Sequence, residues 1–360
     1  MRRALVILFA NIGDVLLASP LFAVLKSHYP AMVVDALVNR GTETMLAGNP
    51  HIGTLHVLDR KARDGGPLAR LREELRLLGA VRRGRYDLTI PLTGGDRGLI
   101  LGLLSGAGLR VGVGRRRRWL GGMIQPATHW VNHAHGGRHY VERHLDCLRR
   151  IGVFPRDPKD KQPRLYESPA EGQAALDLVA GVAPGFDLRR RFAVVHPTSR
   201  WMFKSWPAAS MARLMAAMHG ELGIPMILTS GPDAVEMVHV GQLRARLTVP
   251  VVDVAGRLTL GQLAGLIRRA ALFVGMDSAP MHMAAAVGTP LVAVFGPSCP
   301  GDWGPWGAAA GVVTHGGFAC QPCQIDGCGG SKISECLLDL TPERVLERVR
   351  RLWIPGDGVW

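Results

Sequence analysis

A chain of 360 residues, 47% hydrophobic and 20% charged, is long enough for two domains with their own cores and too apolar for disorder to be the default. Its 43 Lys and Arg against 29 Asp and Glu give +14, unevenly, since residues 1–180 hold 27 basic and 16 acidic side chains and residues 181–360 hold 16 and 13. A basic first half suits an anionic partner such as phosphate, a lipid headgroup or nucleic acid, unless it is only a solvated face, and no apolar run approaches the ~18–20 residues of a membrane span.

Met1-Arg2-Arg3 and the apolar Ala4–Ala10 resemble the start of a signal peptide, but Asn11, Gly13 and Asp14 interrupt the run. The segment is therefore expected to be the first strand and helix of a cytoplasmic protein. Ala4–Ala10 reads as a buried parallel strand, Asn11-Ile12-Gly13-Asp14 as a turn, and Val15–His28 as one helix ended by Pro30. Val33–Val38 and Thr54–Leu58 read as strands, Leu68–Leu78 as a charged amphipathic helix and Leu88–Pro91 as a strand. Pro155, Pro158, Pro163, Pro169 and Pro184 break the rhythm over residues 152–190, around a helical stretch near Glu171–Val179.

A second series follows: strands at Phe192–Val195, Met226–Ser230, Val249–Val252, Leu272–Gly275 and Leu291–Phe295, helices at Pro207–Leu222, Ala234–Leu247, Leu260–Arg269 and Pro280–Val287, and a last helix at Thr341–Leu352. Alternating strands and helices in both halves predict an α/β chain of two doubly wound, Rossmann-like domains. The expected division is residues 1–165, a linker region at 166–190, a second domain at 191–340 with a Cys-rich loop at 320–336, and a helix and tail at 341–360.

Three strand-end loops carry the chemistry. In the first, Gly13 permits a tight turn and Asp14, beside Asn11, can act as a general base kept ionised by a helix start; the alternative is a helix cap. In the second, His196-Pro197-Thr198-Ser199-Arg200 precedes Lys204, and hydroxyls with a cation near a helix start suit a phosphate. In the third, Asp277-Ser278-Ala279-Pro280 opens a helix carrying His282. Ser278 and the free N–H groups there can hold a diphosphate, whereas Asp277 would repel it and is better placed towards sugar hydroxyls or loop order. His282 on an otherwise apolar helix is also what a satisfied core histidine looks like.

Cys320, Cys323, Cys328 and Cys336 gather four of six cysteines in one loop and can form a structural zinc site, although the spacing is not that of a common finger. Unligated thiols are the alternative. There is no P-loop, no G-x-G-x-x-G after the first strand and no H-E-x-x-H, which counts against an NTPase, a standard NAD dehydrogenase and a zincin.

Taken together, Ile12-Gly13-Asp14, His196-Pro197, Lys204-Ser205-Trp206-Pro207, Asp277-Ser278 with His282 and Ala284-Ala285-Ala286, Phe295-Gly296-Pro297 and Ala255-Gly256-Arg257-Leu258-Thr259 resemble the motifs of the lipopolysaccharide core heptosyltransferases. The Cys-rich tail with Thr341-Pro342 most resembles the branch that adds the third core heptose. The resemblance implies a GT-B fold with the two Rossmann-like domains facing a central cleft, an ADP-heptose donor in the C-terminal domain, a lipopolysaccharide core acceptor on the N-terminal domain and inverting transfer that needs no cofactor. It makes Asp14 the base and Lys204 the group that offsets charge on the leaving diphosphate, with Thr198, Ser199, Ser278 and Ala279 along the phosphates and Asp277 and His282 around the donor. The family usually has Gly where Ala279 stands, and a methyl there would crowd a phosphate oxygen or demand a different turn.

The first half then has a specific reading. Asn11 and Gly13 border the acceptor, while Arg115, Arg116, Arg117 and Arg118, with Trp119 and Leu120 following, can meet phosphorylated core sugars or the anionic inner face of the inner membrane. The basic region lacks the aromatic interleaving of a single-strand binder, so no nucleic-acid partner is expected. The rivals are a glycosyltransferase using another nucleotide sugar on a glycolipid, separable by nucleotide preference, and a non-catalytic sugar- or nucleic-acid-binding protein of the same fold, against which Asp14 and Lys204 speak.

Overall fold

A computed structural model describes residues 1–59, 66–117, 119–132 and 137–354, in two compact units, Met1–Tyr166 and Glu167–Trp360.

In the first unit the order is β1 (Arg3–Leu8), α1 (Ile12–Leu17), α2 (Ser19–His28), β2 (Val33–Asn39), β3 (Leu55–Leu58), α3 (Pro67–Arg83), β4 (Leu88–Pro91), α4 (Asp96–Leu104), β5 (Leu109–Val113), β6 (His129–Val131) and α5 (Tyr140–Arg149). The strands are parallel in the order β3-β2-β1-β4-β5-β6. β1 lies at the centre with residues 4–8 fully buried, as its unbroken apolar run requires of a parallel strand covered on both faces. The single helix expected over Val15–His28 is instead two. Pro20 has no N–H for the carbonyl of Leu16, so the first helix closes at Ala18 and a second starts with Pro20 in its first turn.

One charged group interrupts this core. Asp35, in the middle of β2, is fully buried and accepts bonds from Arg3 Nη2 (2.8 Å), Tyr86 Oη (2.8 Å) and the Thr54 amide (2.8 Å). Burial, and then the bond to Asp35, push the Tyr86 phenol well above its ordinary range. A buried carboxylate is tolerated there because each oxygen is matched by a donor and a cation stands beside it.

The second unit runs α6 (Pro169–Val182), β7 (Ala193–His196), α7 (Ala208–Leu222), β8 (Met226–Leu228), α8 (Ala234–Arg244), β9 (Val252–Asp253), α9 (Leu260–Arg269), β10 (Leu272–Met276), α10 (Ala279–Val287), β11 (Leu291–Val294), α11 (Pro300–Trp303), β12 (Ala310–Val313), α12 (Glu335–Leu338) and α13 (Pro342–Leu352). Its parallel sheet is ordered β12-β11-β10-β7-β8-β9. Both sheets thus share the doubly wound order 3-2-1-4-5-6.

Helix α6, within the stretch expected as a linker, packs on α9 so closely that a Cβ on Gly265 would stand 2.4 Å from Gly172 Cα. Helix α13 closes the core beneath α7 and β12 with Val345, Leu346 and Val349, and the indole of Trp206 donates to Leu340 O at 3.1 Å. No helix among the described residues is long and apolar enough to cross a membrane.

Candidate functional site

In a doubly wound sheet a ligand crevice opens where the strand order reverses, beyond the carboxyl ends of the strands. That point lies between β1 and β4 in the first unit and between β7 and β10 in the second. The loops after β1, β7 and β10 are the three singled out in the sequence.

In the first unit Asn11 is the N-cap of α1 and Asp14 its third residue, and the Asp14 carboxylate accepts the Asn11 amide at 3.1 Å. Asp14 is half-buried rather than enclosed, so it remains reachable. It is thus part of a helix-capping arrangement and still partly exposed. Gly13 was expected to make a tight turn. It lies inside α1 with no left-handed backbone, so what glycine supplies there is the absence of a side chain beside Asp14. Arg115, Arg116 and Arg117 are exposed, Arg117 pairing with Asp96 and donating to Gly94 O (3.2 Å) just beyond the end of β4; Arg118 lies outside the described residues.

In the second unit the loops after β7 and β10 are tied together. Lys204 Nζ donates to Asp277 Oδ2 at 2.8 Å, and Ser199 Oγ reaches Asp277 O at 3.5 Å. Asp277 is buried and Lys204 mostly so, and the pair stands at the switch point itself. Thr198 is enclosed, its hydroxyl donating to Glu236 Oε2 at 2.5 Å, and Glu236 also accepts the Gly231 amide. Ser278 is the N-cap of α10 in extended backbone and Ala279 the first helical residue, outside the left-handed region, so the turn itself makes no demand for glycine. His282 is buried in the body of α10.

Beside Lys204 a cavity of about 250 Å³ is lined by Trp201, Phe203, Pro297, Trp303 and residues 324–326. The segment 295–297 sits against the Cys-rich loop, with Gln321 Nε2 donating to Gly296 O (2.8 Å) and the Gln324 amide to Pro297 O (2.8 Å). Any Cβ on Gly296 would meet Leu337 at 2.7 Å, so glycine is needed where the chain passes this side chain. Trp201 and Trp303 were not foreseen as site residues. For Trp201 the available signal was an aromatic residue directly following a polar strand-end loop, whereas Trp303 ends the short α11.

A model of glycosyltransferase family 9 (heptosyltransferase) matches residues 74–333. An Escherichia coli protein described as lipopolysaccharide heptosyltransferase 3 is 33% identical over 296 residues, 82% of this chain and 83% of its own. The chain belongs to glycosyltransferase family 9. It is a transferase, and its GT-B fold is shared by solved structures. A family 9 glycosyltransferase from Veillonella parvula superposes with a TM-score of 0.81 at 24% identity, covering 98% of this chain and 97% of that one. The E. coli structure titled ADP-heptose LPS heptosyltransferase II gives 0.75 at 22% identity, covering 98% of each.

The thiols of this family 9 chain are free, and among the described residues no three His, Cys, Asp or Glu side chains converge on a metal position. The four loop cysteines nonetheless share one neighbourhood. Burial, and then the thiols of Cys328, Cys323 and Cys320, push the Cys336 thiol up to about 11. The two observations are compatible if the loop gathers the sulfurs without closing them into a tetrahedron.

His196, at the end of β7, is wholly buried and its pKa is pushed down from 6.5 to about 4 by that burial. Thr229 Oγ1 donates to Val195 O (3.2 Å), which leaves it to accept from His196 Nδ1 (3.0 Å), a neutral imidazole protonated on Nδ1. The unfolded chain takes up a proton below about pH 6.5 that the folded chain refuses until about pH 4. Stability from this residue is therefore complete above pH 6.5 and falls on acidification, by at most about 3 kcal/mol. Urea midpoints measured between pH 7.5 and 5 should fall less steeply in His196→Gln than in the wild type; equal slopes would contradict the assignment.

Proposed function

We propose that this chain transfers heptose from ADP-heptose to the lipopolysaccharide inner core by a single, inverting displacement. The observation that carries the reading is the Lys204–Asp277 pair, which joins the loops after β7 and β10 at the switch point of the second sheet. The donor identity comes from the relatives' names, since the fold alone names no sugar.

In this reading the acceptor hydroxyl attacks the anomeric carbon, Asp14 takes its proton, and the bond from that carbon to the diphosphate oxygen breaks. Charge then gathers on the departing ADP. Lys204 exchanges its bond to Asp277 for the diphosphate, and the amides at the start of α10, around Ser278 and Ala279, face the same charge. Asp277, released from the lysine, is an acceptor for donor hydroxyls. Thr198 and Ser199 hold the loop, the one through Glu236 and the other through the Asp277 carbonyl. His282 supports α10 from within.

No cofactor enters any step. The four cysteines are read as ligands that a structural zinc would draw from their present open arrangement into a tetrahedron, fixing the loop beside Phe295-Gly296-Pro297. Asn11 and Gly13 border the acceptor, and Arg115 to Arg118 meet its anionic groups. The protein works in the cytoplasm, against the inner face of the inner membrane, where a lipid-linked acceptor would present its sugars.

A thermal-shift panel of ADP, UDP, GDP and CMP tests the donor half. A ligand at a hundredfold its Kd stabilises the folded state by about 2.7 kcal/mol, so ADP should raise the melting midpoint above the others. Greater stabilisation by UDP or GDP would replace the donor, and no response to any nucleotide would remove the donor-site reading. The panel repeated after chelation tests the zinc: a lower midpoint restored by zinc supports it, and an unchanged one rules it out.

A further inference from the structure

We infer that helix α3 and the loop around Leu120 form a lipid-inserting face that docks the first unit on an anionic membrane. This deepens the proposed reading by naming the surface that brings the enzyme to a lipid-linked acceptor.

Helix α3 buries Leu77 and Val81 against the sheet, yet a second apolar stripe faces outward. Leu68, Leu71 and Leu75 are 81%, 55% and 59% exposed, at the three- and four-residue spacing that puts side chains in one row. Alongside runs a row of exposed arginines, Arg72, Arg76 and Arg83. A helix carrying leucines beside arginines on its solvent side has the pattern of an interfacial helix lying in the headgroup plane.

A second element has the same composition. The Trp119 and Ile124 backbones bond reciprocally (3.0 and 3.2 Å), closing a short loop whose tip carries Leu120, 67% exposed, and Met123, 83% exposed. Exposed Arg115, Arg116 and Arg117 precede it. Two neighbouring residues of α4 link the elements: Arg97 pairs with Glu74 of α3 at 2.7 Å, and Asp96 pairs with Arg117. Helix α3 and the loop are therefore both tied to the start of α4, at the carboxyl edge of the sheet where Asp14 also stands.

Charge decides the occupant. Residues 1–166 carry 27 Lys and Arg against 13 Asp and Glu, a net +14, and residues 167–360 carry 16 of each, a net of zero. The whole excess lies on the unit that bears both exposed apolar patches. A bilayer rich in phosphatidylglycerol offers both a negative surface and an apolar layer within reach of such side chains.

The test is co-sedimentation of the full chain with vesicles, without nucleotide or acceptor, so that its failure leaves the transferase reading untouched. The wild type should bind vesicles containing 30% phosphatidylglycerol and not pure phosphatidylcholine, and binding should weaken with salt. The triple variant Leu68→Ser, Leu71→Ser, Leu75→Ser should bind at least about tenfold more weakly, with an unchanged melting midpoint because its side chains are exposed. Leu71→Trp should show quenching by brominated lipid beyond that of the wild type, which keeps the inference testable should the triple variant fold poorly. Equal binding by a folded triple variant, no binding by the wild type, or no added quenching overturns it. So does leucine-dependent self-association in sedimentation velocity without lipid, which would make a second copy the occupant.

Discussion

Asp14→Asn is expected to lower kcat by about 10²–10⁴-fold while leaving the fold and nucleotide binding close to those of the wild type. An amide matches the carboxylate in shape and keeps one oxygen to accept the Asn11 amide, the bond that Asp14 now makes at 3.1 Å. What it lacks is a lone pair basic enough to take a proton from an attacking hydroxyl. Loss of the negative charge at the helix start should cost only about 0.3–1 kcal/mol. Asp14→Ala removes the base and the capping acceptor together, so it should match the Asn variant in turnover and fall below it in stability. A pure capping role shares the loss of stability in Asp14→Ala and differs in turnover, which would stay near normal in Asp14→Asn. The comparison needs kcat and a urea midpoint for each variant, and near-normal turnover in Asp14→Asn would refute the base.

How much of this was legible in the sequence depended on what kind of signal each element left. Apart from β12, which drew no expectation, the strands of the second half were read to within a residue or two at most ends, because unbroken apolar runs such as Leu272–Met276 have no other home than a buried parallel strand. Boundaries slipped where proline acts at a distance from the pattern. Pro20 split a helix whose apolar spacing runs straight through it, and Pro250 precedes a strand reduced to Val252–Asp253. Elements α4, β5, β6 and α5 drew no expectation at all. Gly98 and Gly102 in α4, and Gly112 in β5, dilute the apolar periodicity there, although each has a close neighbour that a Cβ would strike.

The site divides along the same line. Loops at strand ends could be located from the alternation of strands and helices, and their polar residues named, since one chain direction fixes which end of each strand they occupy. Contacts between loops distant in sequence could not. That Lys204 meets Asp277, 73 residues on, depends on β10 lying beside β7, which local pattern does not specify. Asp35 passed unnoticed for a related reason: its partners Arg3, Thr54 and Tyr86 come from three other segments and converge only when the sheet is assembled.

Lys204→Met should reduce kcat by about 10²–10³-fold and should also destabilise the second unit, and the two effects have different origins. The activity falls because charge developing on the departing diphosphate loses its cation, an interaction stronger in the transition state than before it. The stability falls because buried Asp277 keeps its charge and loses the lysine at 2.8 Å, a cost of about 1–3 kcal/mol for a group left without its partner. Methionine fills much of the volume of the lysine stem, so packing contributes little. Adding Asp277→Asn removes the stranded charge, and the double variant should regain most of the lost stability. Its kcat should stay at or below that of Lys204→Met, because neither a methionine at position 204 nor an amide at position 277 carries the positive charge that offsets a departing diphosphate. Measured as a double-mutant cycle, stability should show strong coupling between the two positions while turnover shows no rescue. If the double variant instead recovers turnover together with stability, Lys204 serves as the counter-charge of Asp277, and the cation that meets the leaving group must be sought elsewhere in the second unit.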